Sequence, residues 1–280
     1  MSISIFVAIR PLNGRVTEID RRSALRAGAG AAIAGALAAG CSGGRPAAAP
    51  PSAPAAPDVP SGAAKSAAPR PAPAPRAFAG QPVQIDHGPR DRPRVALTFH
   101  GQGDPAIATS VLTEAERAGA RVTVLAVGTW LDAYPRMARR ILDGGHDLGN
   151  HTLHHTSIST MGEQQAYAEI TGCADRLRKL TGSIGSWFRP SRTPDATPLV
   201  RQLAGRAGYP HVLSYDVDSL DYTSPGATAV TRNVTTAVRN GSVVSLHFGY
   251  ADTVAALPAL LDALDRRGLH AVTTTELLTP

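Results

Sequence analysis

Gly145-His146-Asp147-Leu148-Gly149-Asn150-His151-Thr152-Leu153-His154-His155 holds four of the nine histidines of this 280-residue chain. His151 and His155 stand at i, i+4, a spacing that on one helical turn brings two imidazoles onto one face, within reach of one ion. The apolar residues and glycines before them read as the end of a short strand opening into a loop. In α/β folds, chemistry collects at such C-terminal strand ends. The plain alternative is a polar, histidine-rich surface loop, because two histidines make only half a metal site.

Outward from this stretch, strand and helix patterns alternate. Val95 to Phe99 reads as an apolar strand, and Pro105 to Ala118 as a helix with Ile107, Val111, Leu112 and Ala115 in helical spacing. Arg121 to Val127 is the next strand, and Trp130 to Asp143 a helix ended by Gly144-Gly145. After the short strand His146 to Gly149 come a long helix from Gly162 to Leu180, a strand Ser186 to Phe188 and a helix Thr197 to Ala207. His211 to Tyr215, Ser242 to Leu246 and His270 to Val272 read as strands, with helices at Ala227 to Arg239 and Thr253 to Arg267. Continuous apolar strands between amphipathic helices predict a parallel sheet covered by helices. About seven such units in the segment from residue 92 to residue 280 suit a barrel slightly short of eight. The alternative is an open doubly wound sheet, but no glycine-rich phosphate loop follows the first strand.

Residues 1–41 read as an export signal. Arg21-Arg22 precedes a small-residue apolar run ending in Leu37-Ala38-Ala39-Gly40-Cys41, too short and alanine-rich for a membrane span. The pattern resembles a twin-arginine signal joined to a bacterial lipobox, which makes Cys41 the lipidated residue and the membrane a partner through that anchor. An ordinary cleaved signal and a secreted protein are the alternative. Residues 42–91, rich in Ala, Pro, Ser and Gly, cannot bury a core and are expected to be a disordered tether before the domain at 92–280. Residues 1–91 hold ten Lys/Arg and five Asp/Glu, a net +5, and the remainder eighteen and seventeen, +1, which makes up the chain's +6. The basic character therefore belongs to the targeting segment, and no nucleic-acid partner is expected. Cys173, the sole cysteine of the domain, has no disulfide partner there and reads as a small buried hydrophobe.

Polar residues follow the strands: His100 to Asp104, His151 to His155, Arg189 to Arg192, then Asp216, Asp218 and Asp221, then His247. A parallel sheet brings all five sets to one face. Together they resemble the polysaccharide deacetylase (NodB-homology) family of metal-dependent carbohydrate esterases. Gly145 to His155 is similar to that family's "GHEIGNHT..H" segment, and its His-[Ser/Thr]-x-x-His pattern falls on His151, Thr152 and His155. Phe188-Arg189-Pro190 resembles the arginine–proline motif. Asp218-Ser219-Leu220-Asp221-Tyr222 resembles Asp-x-x-Asp-Trp with Tyr for Trp, and Ser245-Leu246-His247 the closing Leu-His motif. The resemblance runs from about Arg94 to Leu278 and implies a NodB-like distorted (β/α)7 barrel.

One motif departs. Where the family has Thr-Phe-Asp-Asp-Gly, with a base and then a metal ligand, this chain has Thr98-Phe99-His100-Gly101-Gln102-Gly103-Asp104. His100 falls at the base position and Gly101, without a side chain, at the ligand position. Asp104 is expected to swing round on the flexible glycines and complete a set with His151 and His155, a donor set suited to zinc. Its alternative is to cap the helix starting at Pro105. The resemblance implies removal of N-acetyl groups from an amino-sugar polymer, with peptidoglycan favoured by the anchor and tether. In that scheme Asp104 or His100 is the base (His100 alternatively a fourth metal ligand), His247 the general acid paired with Asp218 (Asp221 the second choice), and Arg189 orients the base. Tyr222 and Tyr250 are candidates to floor a sugar groove, as are Trp187 and Phe248 unless they are core. His146, His211 and His270, at strand starts, read as structural. The missing Asp-Asp keeps a non-catalytic glycan-binding lipoprotein open as a rival, and an amidase acting on a non-sugar C–N bond is a third reading.

Overall fold

A computed structural model describes residues 72–280. The export signal, Cys41 and the tether up to residue 71 lie outside the described residues. In chain order the strands are β1 (Gln84–Ile85), β2 (Arg94–Gly101), β3 (Thr123–Ala126), β4 (Asp147–Asn150), β5 (Val212–Leu213), β6 (Val217–Asp218), β7 (Val243–His247) and β8 (His270–Val272). The helices are α1 (Pro105–Arg117), α2 (Gly128–Ala133), α3 (Arg136–Asp143), α4 (Glu163–Thr181), α5 (Pro198–Arg206), α6 (Ala227–Ala237), α7 (Ala251–Arg266) and α8 (Thr274–Leu278).

Every strand ladder is parallel, in the order β4-β3-β2-β7-β6, with β8 also on β2 and β1 on β5. Single bridges from Asn150 to Phe188 and from Phe188 to Val212 carry the sheet round from β4 to β5. The result is the barrel-like α/β sheet that the sequence pattern implies. The strand expected at Ser186 to Phe188 is reduced to Phe188, and the single helix expected from Trp130 to Asp143 breaks at Pro135 into α2 and α3.

One boundary needs correction. The tether does not run to residue 91: Ala72 N–H donates to the Thr181 carbonyl, Phe78 stacks on Trp187 with centroids 5.5 Å apart, and β1 is a stave paired with β5. Ile85 is the apolar residue that secures it, fully buried among Ala96, Leu125, Trp187 and Leu213. A two-residue strand flanked by prolines is too short to show a period, so composition alone reads it as linker.

Strand alternation sets the layers. Val95, Leu97 and Phe99 of β2 pack in one cluster with Val111 and Leu112 of α1 and Leu257 and Leu260 of α7. The alternate residues, Ala96, Thr98 and His100, face the other way. Ala96 packs with Leu125, Trp187, Leu213 and Val243, and Leu277 and Leu278 of α8 join that cluster. His100, two steps beyond Thr98 at the C-terminal end of β2, reaches the opposite mouth. The β2–β7 register pairs it directly with His247.

Candidate active site

The register of the parallel sheet assembles the site. His100 and His247 are side by side on β2 and β7, with ring centroids 4.3 Å apart. His151 follows β4, whose last residue Asn150 pairs with Ala126, and its ring meets His100 at 4.4 Å and His155 at 4.9 Å. The 151–155 loop is tied down residue by residue. The Asn150 amide donates to the Ile170 carbonyl at 2.8 Å and to the Tyr209 hydroxyl at 3.0 Å, and its carbonyl oxygen accepts the Thr152 N–H. The Thr152 hydroxyl bonds Ser191 at 3.0 Å and takes the His155 N–H at 3.2 Å.

His100, His151 and His155 each present one ring nitrogen, all within 4.8 Å of one another. His151 is buried, its Nδ1–H donates to the Arg189 carbonyl at 3.0 Å, and its Nε2 has no hydrogen-bond partner. A backbone acceptor on one nitrogen fixes the tautomer and leaves the other lone pair free, as in metal-bound imidazoles. An orphaned buried acceptor is costly unless something fills it, so the residues present fit a metal ion. The histidines are also kept neutral. Burial first, then the His155 charge, holds His151 well below its usual range. Burial first, then His151, His247 and Arg189, does the same for His100. Burial and Arg192 lower His155 to about 4.

The expected third ligand is elsewhere. The Asp104 side chain is exposed and accepts the Ala106 N–H at 2.8 Å, capping α1 in front of Pro105. Gly103, at φ 114°, brings the chain so close to Gly249 that a Cβ would lie 2.5 Å from the Gly249 Cα. The flexible loop thus docks against the 248–249 turn and does not swing Asp104 inward. His100 stands with the two histidines in its place. Gly101 has no room for a ligand: an added Cβ would meet Val124 Cγ1 at 2.9 Å and Ala126 Cα at 3.0 Å.

Arg189 is fully buried, donating to the carbonyls of Leu213 at 3.1 Å and Ser214 at 2.9 Å. It was expected to orient a base carboxylate. Its third contact is instead the His100 Nε2, at 3.2 Å, with the Ser245 hydroxyl 3.1 Å from the same nitrogen. Since arginine only donates, that His100 lone pair is engaged, which makes His100 a poor base. Burial lowers Arg189 to about 10, with Tyr215 and Asp218 acting in the opposite direction.

The partner of His247 is also corrected. Asp221, fully buried, accepts the His247 Nδ1–H at 2.7 Å, the His247 backbone N–H at 2.8 Å and the Thr253 hydroxyl at 2.6 Å. Asp218 accepts only the Leu220 N–H, at 3.0 Å, and sits on the cavity wall. The 3₁₀ turn at Asp221–Thr223, entered through Leu220 at φ 55°, turns Asp221 inward behind the imidazole. With Nδ1 committed, Nε2 is the nitrogen His247 can offer a ligand.

These groups surround a cavity of about 440 Å³ whose walls include Tyr215, Tyr222, Tyr250 and Arg192. Tyr222 and Tyr250 flank the His247 ring edge-on at 5.4 and 5.9 Å, whereas Trp187 and Phe248 are core. Thr152, His155, Arg192, Leu220 and Ser224 are the described non-glycine residues with positive φ, and all lie in the loops around this cavity. Strained backbone gathered in one place is a mark of a functional site. Tyr215, Ser245 and Arg192 were not singled out as ligand contacts from sequence. Strand periodicity placed Ser245 on the same face as His247, the one signal available for it.

The chain matches the family model for polysaccharide deacetylase over residues 87–212. It is 31% identical over 196 residues to a peptidoglycan-N-acetylglucosamine deacetylase of Bacillus cereus, covering 68% of this chain and 90% of that protein. It is 28% identical over 199 residues to a chitooligosaccharide deacetylase of a Bradyrhizobium species, covering 63% and 86%. Among solved structures, a CE4 family pseudoenzyme from Bacillus anthracis superposes with a TM-score of 0.67 at 21% identity, covering 71% of this chain and 70% of that one. At that identity the likeness shows the fold.

Proposed function

This chain belongs to the polysaccharide deacetylase family, and on that premise we propose that it hydrolyses N-acetyl groups from an amino-sugar polymer, cell-wall peptidoglycan, at a centre of three histidines. The observation that carries this reading is the buried, tautomer-fixed His151 with its free Nε2 facing two further imidazole donors. His151, His155 and His100 would hold a divalent ion, zinc by donor type. When bound, it would supply Lewis acidity towards the acetamide carbonyl and acidify a water. His100 is the weakest donor of the three, because Arg189 already competes for its Nε2.

The protein's own groups supply the rest. His247 is the group with its base nitrogen free at the cavity and a carboxylate fixed behind it, so it can accept a proton at Nε2 and return it to the departing amine. Asp221 holds the ring in the one tautomer that permits this. Tyr222 and Tyr250 offer ring edges and hydroxyls to a sugar on either side of His247. The basic pair, short apolar run and Cys41 support export and anchoring of this domain at the cell surface. A Cys41→Ala protein shed into the medium is the expected result, and undiminished retention on the membrane would contradict it.

Replacing His151 and His155 together by Ala tests the centre. Bound zinc and acetate release should both disappear while the fold persists by circular dichroism. Unchanged acetate release would remove the metal reading. A second reading, a glycan-binding protein without turnover, is favoured by one observation: His100 occupies the base position with its Nε2 engaged. A protein that binds glycan and zinc yet releases no acetate would establish it.

A further inference from the structure

The histidine loop is held against α4 by a carboxylate that the proposed hydrolysis does not use. The buried stripe of α4 runs through Ala166, Ile170, Cys173, Ala174 and Leu177, and Glu169 stands in it, 9% exposed. It lies more than a turn from either end of the helix, so it caps neither terminus. A carboxylate in an apolar stripe needs partners, and those of Glu169 both belong to one loop residue. Its Oε2 accepts the His154 backbone N–H at 2.9 Å, and its Oε1 meets His154 Nδ1 at 2.6 Å. A carboxylate only accepts, so that Nδ1 carries the proton.

The loop requires such holding. Thr152 and His155 are both in the left-handed region, at φ 68° and 57°, a conformation such residues keep only when their surroundings impose it. The Thr152 and Leu153 carbonyls accept the N–H groups of Gly128 and Thr129, each at 2.9 Å. Leu153 fills a notch in which a Cβ on Gly172 of α4 would lie 2.8 Å from its Cδ2. Those contacts fix residues 152 and 153, and Glu169 fixes the next one. His155 then follows with no hydrogen bond on its ring among the described residues, unlike His151, whose Nδ1–H is tied to Arg189. The backbone therefore decides where the His155 imidazole points.

We infer that Glu169 is a positioning residue for the metal centre: by gripping His154 at backbone and ring, it sets the loop so that His155 meets His151 and His100 at ligand distance. The inference rests on the metal reading of the three histidines.

The test measures three quantities for the wild type, Glu169→Ala and Glu169→Gln. They are zinc affinity by competition, the visible spectrum of the cobalt(II)-loaded protein, and hydrogen exchange of the 151–156 amides without metal. Glutamine keeps the grip: its carbonyl takes the His154 N–H, and its NH₂ meets Nδ1 of the other tautomer, whose proton moves to Nε2 of the half-exposed ring. Alanine leaves both His154 groups unheld. Glu169→Ala should weaken zinc by about 10–100-fold, the range for groups that orient ligands from behind. It should also change the cobalt spectrum and speed exchange in the loop. Glu169→Gln should stay within about threefold of the wild type. Val230→Ala, a buried change in α6, is the comparison for general destabilisation, with a lower Tm and wild-type zinc affinity. Wild-type affinity and spectrum in Glu169→Ala, or equal losses in the alanine and glutamine variants, would overturn the inference. His154→Ala removes the ring contact alone and should fall between the two; if Glu169→Ala does not fold, undiminished zinc affinity in His154→Ala overturns the inference instead. A wild type that takes up neither zinc nor cobalt would sink the metal reading, and exchange in the loop would still decide whether Glu169 holds it.

Discussion

Replacing Asp221 by Asn separates the observed acid–base pair from the one that the motif alone implied. Asp221 receives three hydrogen bonds, from the His247 ring at 2.7 Å, the His247 backbone at 2.8 Å and the Thr253 hydroxyl at 2.6 Å, and is fully buried. Asparagine keeps the shape but has one oxygen and an NH₂ group that faces a donor. Leaving a buried group mispaired costs about 1–3 kcal/mol, and in a domain of this size each kcal/mol lowers Tm by about 2–4 °C. A fall of about 2–12 °C is therefore expected. The larger effect falls on catalysis. Without the carboxylate, His247 loses its fixed tautomer and the opposite charge behind it, and kcat should drop by about 10²–10⁴-fold. Asp218→Asn is the internal comparison: asparagine's carbonyl can still take the Leu220 N–H, so kcat should fall by less than about tenfold. Acetate release with metal-loaded protein, alongside thermal melts, reads both. Asp218→Asn being the more damaging change, or Asp221→Asn retaining full kcat, would refute the pairing.

Other outcomes follow from the same geometry. Asp104→Ala should lose about 1 kcal/mol of stability, the cost of an N-cap, with metal content unchanged; loss of metal would return Asp104 to the ligand set. Gly101→Asp, the change that restores the family residue, should destabilise by about 1–3 kcal/mol without raising zinc affinity, because the new Cβ meets Val124 and Ala126; a gain in affinity would contradict this. Metal-free protein should lose stability in urea as pH falls from 7.5 to 5. His100, His146, His151 and His155 are held below their unfolded pKa, so the folded state binds fewer protons and the unfolded state gains from acid below about 6.5. His155, lowered to about 4, contributes on the order of 1 kcal/mol at pH 5 once its partial exposure is allowed for. Buried Asp147, raised by burial, acts in the opposite sense, and a net rise in stability on acidification would refute the dominance of the histidines.

The parallel sheet and the His151–His155 loop were legible in the sequence because both rest on local signals: apolar runs at strand length, helical spacing in α1 and α4, and two histidines four apart. What escaped was set by chain geometry at turns. Asp218 and Asp221 are three residues apart and both acidic; the left-handed Leu220, which decides which one turns inward, leaves no mark in composition. Asp104 lay within reach of the site on paper. The contact of Gly103 with Gly249, which diverts it, joins residues distant in sequence. The N-terminal stave was hidden for a similar reason: Ile85 earns its place by burial against Trp187 and Leu213, residues far along the chain.

Acetate release from N-acetylated peptidoglycan fragments by zinc-loaded wild-type protein, against the same protein stripped with chelator, tests the three-histidine hydrolase most directly. Multiple turnovers with zinc, abolished by the chelator and restored by adding zinc back, are expected. Binding of the fragments with no acetate released by the fully loaded protein would contradict it, and would leave a glycan-binding protein on a deacetylase fold.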